Sequence, residues 1–326
     1  MIFPGQASQV VGMGRDLAAA GGAAGRFLAE VDTILQYPLT ALMYEGPLET
    51  LTETRNAQPA ILAHSVAAVQ ALAELGIEPS TVAGHSLGEF SAAVAVGALT
   101  PQQALVLVRR RGELMFNAGQ ARPGTMAAVM GLEAGVVREV CADVARQHGS
   151  VVLANHNSET QVVLSGEPGA VAAAGEALKT AGARRVTPLN VSGAFHSPLL
   201  AEAAAEFASD LEATDFEDPR QPLVANVSGR PVTRGAELRA GLKRQLTSPV
   251  LWHDTMNWLV TGQAYRPRAI LEVGPGTVLS NLARRAYPEV TFFAVGTTND
   301  LAAVRGQLES IVADAERREL EARDGR

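Results

Sequence analysis

Thr81-Val82-Ala83-Gly84-His85-Ser86-Leu87-Gly88-Glu89-Phe90 is the stretch whose reading decides the fold. Thr81 to Ala83 reads as a short apolar strand. Gly84 to Gly88 is a Gly-x-Ser-x-Gly turn, and the Ala-rich run from Glu89 to Leu99 reads as a helix. Strand, sharp turn and helix in that order form the setting of a nucleophile elbow. The glycines let the chain reverse and leave room around Ser86. The turn lifts the serine hydroxyl out at the carboxyl edge of a sheet, and the helix start adds free N–H groups and partial positive charge. The backbone N–H of Leu87 then faces a developing oxyanion. A five-residue pattern is met equally well by a plain Gly/Ser turn at a helix start, so alone it leaves both readings open.

Outward from the elbow, helices and strands alternate. Gln58 to Leu75 carries apolar residues at helical spacing and Gly76 ends it. Thr100 is an N-cap with Pro101 in the first turn of a helix reaching about Gly119. This alternation predicts a parallel sheet covered by helices. The stretch from about Thr125 to Pro188 differs: strand, helix, two strands around a turn at Ser158-Glu159, a helix between Pro168 and Gly182, and a last strand. That βαββαβ order is the ferredoxin-like pattern. The predicted architecture is an α/β-hydrolase-like parallel-sheet domain, residues 1–123 and 192–326, interrupted by a ferredoxin-like subdomain, residues 124–191. The junctions fall at Ala121-Arg122-Pro123-Gly124 and Val191-Ser192-Gly193. Beyond them, helix Leu199–Leu211, strand Leu223–Val227, strand Ala269–Val273, helix Val278 to about Ala286, strand Phe292–Val295 and a charged helix from Leu301 to Arg326 complete the reading.

Composition narrows the function classes. The 326 residues are 47% hydrophobic and 19% charged, which excludes wholesale disorder and allows a sizeable core. The net charge of −7 argues against a general nucleic-acid binder. Cys141 is the sole cysteine, so no disulfide framework or cysteine-rich metal site is possible, and a packed helix residue is the expectation for it. No run approaches the roughly 18 apolar residues of a membrane span. Met1-Ile2-Phe3-Pro4-Gly5-Gln6 lacks the basic start and apolar run of a secretory signal, so a soluble cytoplasmic chain is expected.

A serine nucleophile needs a base, and six histidines are available. His85 adjoins the serine, and neighbours at a sharp turn point apart. His64 lies in a core helix and His148 closes an exposed one. His196 sits in Gly193-Ala194-Phe195-His196-Ser197-Pro198, where the chain re-enters the main domain over a cleft; position alone makes it the base.

Phe3-Pro4-Gly5-Gln6, Gln58-Pro59-Ala60, Gly84-His85-Ser86-Leu87-Gly88-Glu89, Arg111-Gly112, Gly193-Ala194-Phe195-His196-Ser197 and Glu272-Val273-Gly274-Pro275-Gly276 occur in that order. Together they resemble the malonyl-CoA:acyl-carrier-protein transacylases and the related acyltransferase domains of fatty acid and polyketide synthases. The resemblance runs from Phe3 to about Val295. It implies ping-pong transfer of malonyl from malonyl-CoA to the phosphopantetheine thiol of acyl carrier protein, through an ester on Ser86. It makes Ser86 and His196 a dyad, with an oxyanion hole of the Gln6 and Leu87 backbone N–H groups. The histidine would be oriented by a carbonyl of Pro249-Val250-Leu251-Trp252, here that of Leu251. Arg111 would hold the malonyl carboxylate through paired charge-assisted bonds; read alone it is one surface charge in Arg109-Arg110-Arg111. Phe195 would exclude a branch at the malonyl α-carbon, worth roughly 1–3 kcal/mol per methyl; read alone it is a core phenylalanine. Gln58, His85 and Asn155, with Asn157, would line the pocket, although turn formation explains the asparagines equally. No cofactor and no metal are implied, and a monomer is expected.

Acyl carrier proteins are generally acidic, so docking on this acidic chain needs a local basic patch. Lys243-Arg244 and Arg284-Arg285 are the candidates, with solvated surface charge the plainer reading of each. Two departures from the family pattern stand out: only Met1 and Ile2 precede Phe3, and Ala7 stands where Gly is common. The competing readings are a serine esterase, a non-catalytic module on the same fold, and transfer of another extender unit.

Overall fold

The computed structural model describes residues 1–191, 193–262 and 266–324. Among these described residues, ten strands, β1 (Ile2–Phe3), β2 (Val82–Gly84), β3 (Thr125–Met130), β4 (Val151–Ser158), β5 (Gln161–Gly166), β6 (Arg185–Pro188), β7 (Leu223–Ala225), β8 (Arg230–Val232), β9 (Ala269–Val273) and β10 (Thr291–Val295), divide between two sheets. The first has the order β10-β9-β1-β2-β7-β8, parallel except for β8. The second has the order β4-β5-β3-β6 and is antiparallel throughout. Its helices, Ala134–His148 and Pro168–Thr180, pack on one apolar layer that includes Cys141. The parallel-sheet domain and the ferredoxin-like insert are both present. Ser192, in the expected second junction, lies outside the described residues, as do Gly325 and Arg326, up to which the last helix is expected; that helix is described over Thr298–Asp324.

β1 is only two residues long, yet it sits between β2 and β9 and both its residues are fully buried. The elbow strand therefore lies at the middle of the sheet. Behind it run the helices Thr54–Glu74 and Pro101–Ala121. The first begins four residues earlier than its apolar spacing predicts and carries Pro59 inside it. Proline removes the bond to the carbonyl one turn back. That carbonyl, on Arg55, instead accepts from Arg109 Nη1 at 2.9 Å, which keeps the helix continuous. The second begins as expected, with a full capping box between Thr100 and Gln103.

Several elements lie outside the sequence reading. Helices fill most of residues 15–52, β8 hairpins back onto β7, and helices occupy Gly235–Gln245 and Trp252–Thr261. The two subdomains are stitched by backbone: Val250 N–H donates to Ala154 at 2.9 Å and His156 N–H donates to Val250 at 2.9 Å. This bridge seats β4 of the insert against the start of the helix Trp252–Thr261. No described helix is long and apolar enough to cross a membrane.

Candidate active site

The elbow is built from close approaches that only glycine allows. A Cβ on Gly84 would lie 1.9 Å from the Gly88 carbonyl group, and one on Gly88 would lie 2.3 Å from the Phe3 carbonyl oxygen. Ser86 sits between them at φ 54, a left-handed conformation that costs a non-glycine residue roughly 1–2 kcal/mol. Asn226, just beyond β7, holds it there. Its Oδ1 accepts from the Ser86 N–H at 2.7 Å, and its Nδ2 donates to the Gly84 carbonyl at 2.6 Å.

His196 also has a left-handed backbone, φ 57, and is buried. Its Nε2 lies 2.8 Å from Ser86 Oγ. Its Nδ1 lies 2.9 Å from the Gln245 carbonyl. A carbonyl only accepts, so Nδ1 carries the proton and Nε2 presents its lone pair to the serine. Burial, and then the nearby Arg111 charge, push the His196 pKa down to about 3, so the ring is neutral. The orienting carbonyl is thus Gln245, not Leu251. Leu251 caps the helix Trp252–Thr261, and its carbonyl is taken by the N–H and hydroxyl of Thr255, both at 2.9 Å. Gln245 ends the helix Gly235–Gln245, where carbonyls have no helical partner.

Arg111 is not a surface charge. It is 1% exposed, on the inner face of the helix Pro101–Ala121. Its Nη1 donates to Gln58 Oε1 at 2.5 Å, and its Nη2 donates to Ser86 Oγ at 3.0 Å and Gln245 Oε1 at 2.9 Å. Its Nε has no hydrogen-bond partner among the described residues. Burial lowers its pKa to about 10, which leaves it charged at neutral pH. Gly112 lets this helix lie against Thr54 and Arg55, where a Cβ would come within 3.0 Å.

A cleft of about 380 Å³ opens over these groups and is lined by Gln6, Gln58, His85, Ser86, Leu87, Arg111, Asn155, Asn157, Phe195 and His196. The structure therefore brings together every predicted site residue except Leu251. Among the described residues, the Gln6 and Leu87 N–H groups are given to no protein acceptor. His85 points away from the serine: its Nε2 meets Asn157 Oδ1 at 3.0 Å and its ring packs edge-on against Trp252. Asn155 and Asn157 lie on β4 rather than in a turn. Phe195 is buried beside His196 and closes one wall. Ala7 adopts φ 78, the left-handed conformation its usual glycine takes freely.

Sequence reasoning missed Asn226, Gln245 and the role of Glu89. Neither Asn226 nor Gln245 belongs to a local motif, and they reach Ser86 across 140 and 159 residues of chain. Glu89 is in the elbow motif, but its complete burial is not visible there. Glu272 is structural, since its carboxylate accepts from the Leu279 and Ser280 N–H groups at 2.9 and 2.7 Å. His64 is structural too, with Nε2 2.6 Å from the Gly296 carbonyl. Of the candidate docking cations, Lys243 is paired with Glu212 and Arg284 bonds to the Phe292 carbonyl at 3.1 Å.

Fold and site define an α/β protein of the nucleophile-elbow class, with a serine–histidine pair and a buried guanidinium in one cleft. The acyl transferase domain family matches residues 1–313, and the chain belongs to it. It is 42% identical over 294 residues to the malonyl CoA-acyl carrier protein transacylase of Bacillus subtilis strain 168, covering 90% of this chain and 92% of that one. It superposes on the acyl carrier protein S-malonyltransferase of Vibrio cholerae with TM-score 0.88 and 40% identity, covering 93% and 98% of the two chains. It also resembles a malonyl-transacylase solved in complex with a type II PKS acyl-carrier protein, at TM-score 0.86 and 41% identity over 93% of this chain and 97% of that one.

Proposed function

We propose that the chain transfers a malonyl group from malonyl-CoA to the phosphopantetheine thiol of an acyl carrier protein. The observation that carries this reading is Arg111, a buried guanidinium whose Nη2 lies 3.0 Å from Ser86 Oγ. A carboxylate one methylene beyond the acylated carbonyl suits that spacing. A hydrolase of neutral esters has no use for a buried cation there. The names of the relatives agree with this substrate class.

In the first half-reaction Ser86 Oγ attacks the thioester carbonyl as its proton passes to His196 Nε2. The negative oxygen formed accepts from the Gln6 and Leu87 N–H groups. The C–S bond then breaks, and the coenzyme A sulfur takes the proton from His196, leaving malonyl esterified to Ser86. In the second, the carrier-protein thiol gives its proton to His196, its sulfur attacks the ester, and Ser86 leaves with the proton. A histidine held near pKa 3 is a weak base, and the Arg111 charge is part of the cause. The malonyl carboxylate neutralises that charge, so correct substrate raises the basicity of His196 on binding. Phe195 narrows the pocket at the α-carbon, favouring malonyl over branched units.

The test is to incubate the protein with malonyl-CoA and locate the adduct by intact mass and peptide mapping. One malonyl on Ser86 is expected, absent in Ser86→Ala and transferable to holo carrier protein. An adduct elsewhere, or release as free acid with no transfer, overturns the reading.

A further inference from the structure

Glu89 stands in the first turn of the helix Gly88–Ala95, directly behind the elbow, 1% exposed, and no step above uses it. Its Oε2 accepts from Gln245 Nε2 at 2.6 Å and from the Asn226 N–H at 3.4 Å. Its Oε1 is buried with no hydrogen-bond partner among the described residues. The other end of the same Gln245 amide, Oε1, accepts from Arg111 at 2.9 Å. One neutral amide therefore links a buried cation to a buried anion. The titratable group that acts on Glu89 is Arg111 on the helix Pro101–Ala121, and His85 on the elbow and His196 on the loop after the insert line the cleft with Arg111. Burial keeps both rings low in pKa, and hence neutral. With Glu89 ionised, the protein's own charges here balance: one guanidinium, one carboxylate.

A substrate carboxylate on Arg111 breaks that balance, setting two anions against one cation away from water. An uncompensated buried charge is removed by protonation wherever a group can take the proton. His196 is needed neutral as the base. The substrate carboxylate must stay ionised to hold Arg111. Glu89 remains, with a free oxygen to carry the proton. Burial already pushes its pKa up to about 7. We infer that Glu89 takes up one proton from solvent when a carboxylate-bearing acyl group binds Arg111, so that this residue sets the charge of the pocket without touching substrate. The inference rests on the proposed role of Arg111.

The experiment uses the Ser86→Ala protein, in which acylation is blocked. Malonyl-CoA and acetyl-CoA are titrated calorimetrically at pH 7.5 in buffers of different ionisation enthalpy. The expected result is uptake of about half to three-quarters of a proton per malonyl-CoA bound, and about zero for acetyl-CoA. The dissociation constant for malonyl-CoA should weaken by up to about tenfold per pH unit above 7, that for acetyl-CoA staying flat. Glu89→Gln in the same background should abolish both effects. Infrared difference spectra should show a protonated-carboxyl band appearing on malonyl binding, a readout that does not need that variant. Malonyl-CoA binding without proton uptake overturns this inference alone. Uptake that survives Glu89→Gln also overturns it and moves the proton to His196. Failure of malonyl-CoA to bind more tightly than acetyl-CoA overturns the Arg111 reading, and the inference with it.

Discussion

Replacing Arg111 by Ala separates substrate recognition from the rest of the site. Two costs follow, and they differ between substrates. Gln58 Oε1 and Gln245 Oε1 lose their donor whatever acyl group is bound, at about 1–3 kcal/mol each. A malonyl carboxylate also loses its partner inside a buried cleft, which costs about 3–5 kcal/mol. Only the second penalty discriminates. At about 1.4 kcal/mol per factor of ten, malonylation should fall roughly 10²- to 10⁴-fold more than acetylation. Arg111→Lys should lie between, because an ammonium keeps the charge and loses the two-pronged geometry. The assay is single-turnover acylation of Ser86 by malonyl-CoA and by acetyl-CoA, quenched and read by intact mass. Equal losses for the two donors would refute the carboxylate role, however large they are.

Asn226→Ala should cost on the order of 2–4 kcal/mol in urea unfolding, because the Ser86 N–H and Gly84 carbonyl both lose their partner; unchanged stability would show that the elbow holds itself. Gly88→Ala, whose Cβ would meet the Phe3 carbonyl oxygen at 2.3 Å, should cost about 3 kcal/mol or more, whereas Gly306→Ala, with nothing within 4 Å, should stabilise by about 0.5–1 kcal/mol. Both are read from the denaturation midpoint, and a tolerated Gly88→Ala would contradict the packing described. His196 gives a pH signature: its folded pKa is depressed, so below about 6.5 the unfolded chain binds a proton that the folded chain refuses. Stability should therefore fall by up to about 1.4 kcal/mol per pH unit below 6.5. His196→Asn, a residue that tolerates φ 57, should remove that share of the slope, and an identical slope in the variant would count against it.

What could be read from the chain in advance was whatever is local. The Gly84–Gly88 turn, the Thr100 cap and the alternation of the insert each declare themselves within a few residues, because sterics and capping act over that range. Within residues 15–52, the helices Arg15–Ala20, Leu39–Glu45 and Leu48–Thr52 are too brief to show a period, whereas Gly22–Leu35 buries Ala24, Phe27, Leu28 and Val31 at helical spacing, a signal the sequence does carry. The hairpin of β7 and β8 is three residues on each arm. Arg111 looks like surface in a run of three arginines, and only its place on the inward face of the helix buries it. Leu251 does not supply the orienting carbonyl, for a related reason. A motif gives the segment near the histidine, but which carbonyl faces the ring depends on where the neighbouring helices end. Gln245 and Asn226 were invisible because their work is done at a distance, on an elbow more than a hundred residues earlier.

That distance governs when the protein can come alive during synthesis. The strands of the insert, residues 125–188, pair with one another, apart from the single bridge from β4 to Val250, so its sheet can form soon after it leaves the ribosome. The elbow cannot: β1 waits for β9, Ser86 waits for Asn226, and His196 waits for Gln245. A nascent chain stalled before residue 226 carries the serine and the histidine with nothing to hold them in register, and should take no label from malonyl-CoA. The same chain stalled with the sheet through β10 exposed should be labelled. On the proposed mechanism, Ser86 is thereby kept idle until the distant segments that hold it have been made, a safeguard written into the order of the strands.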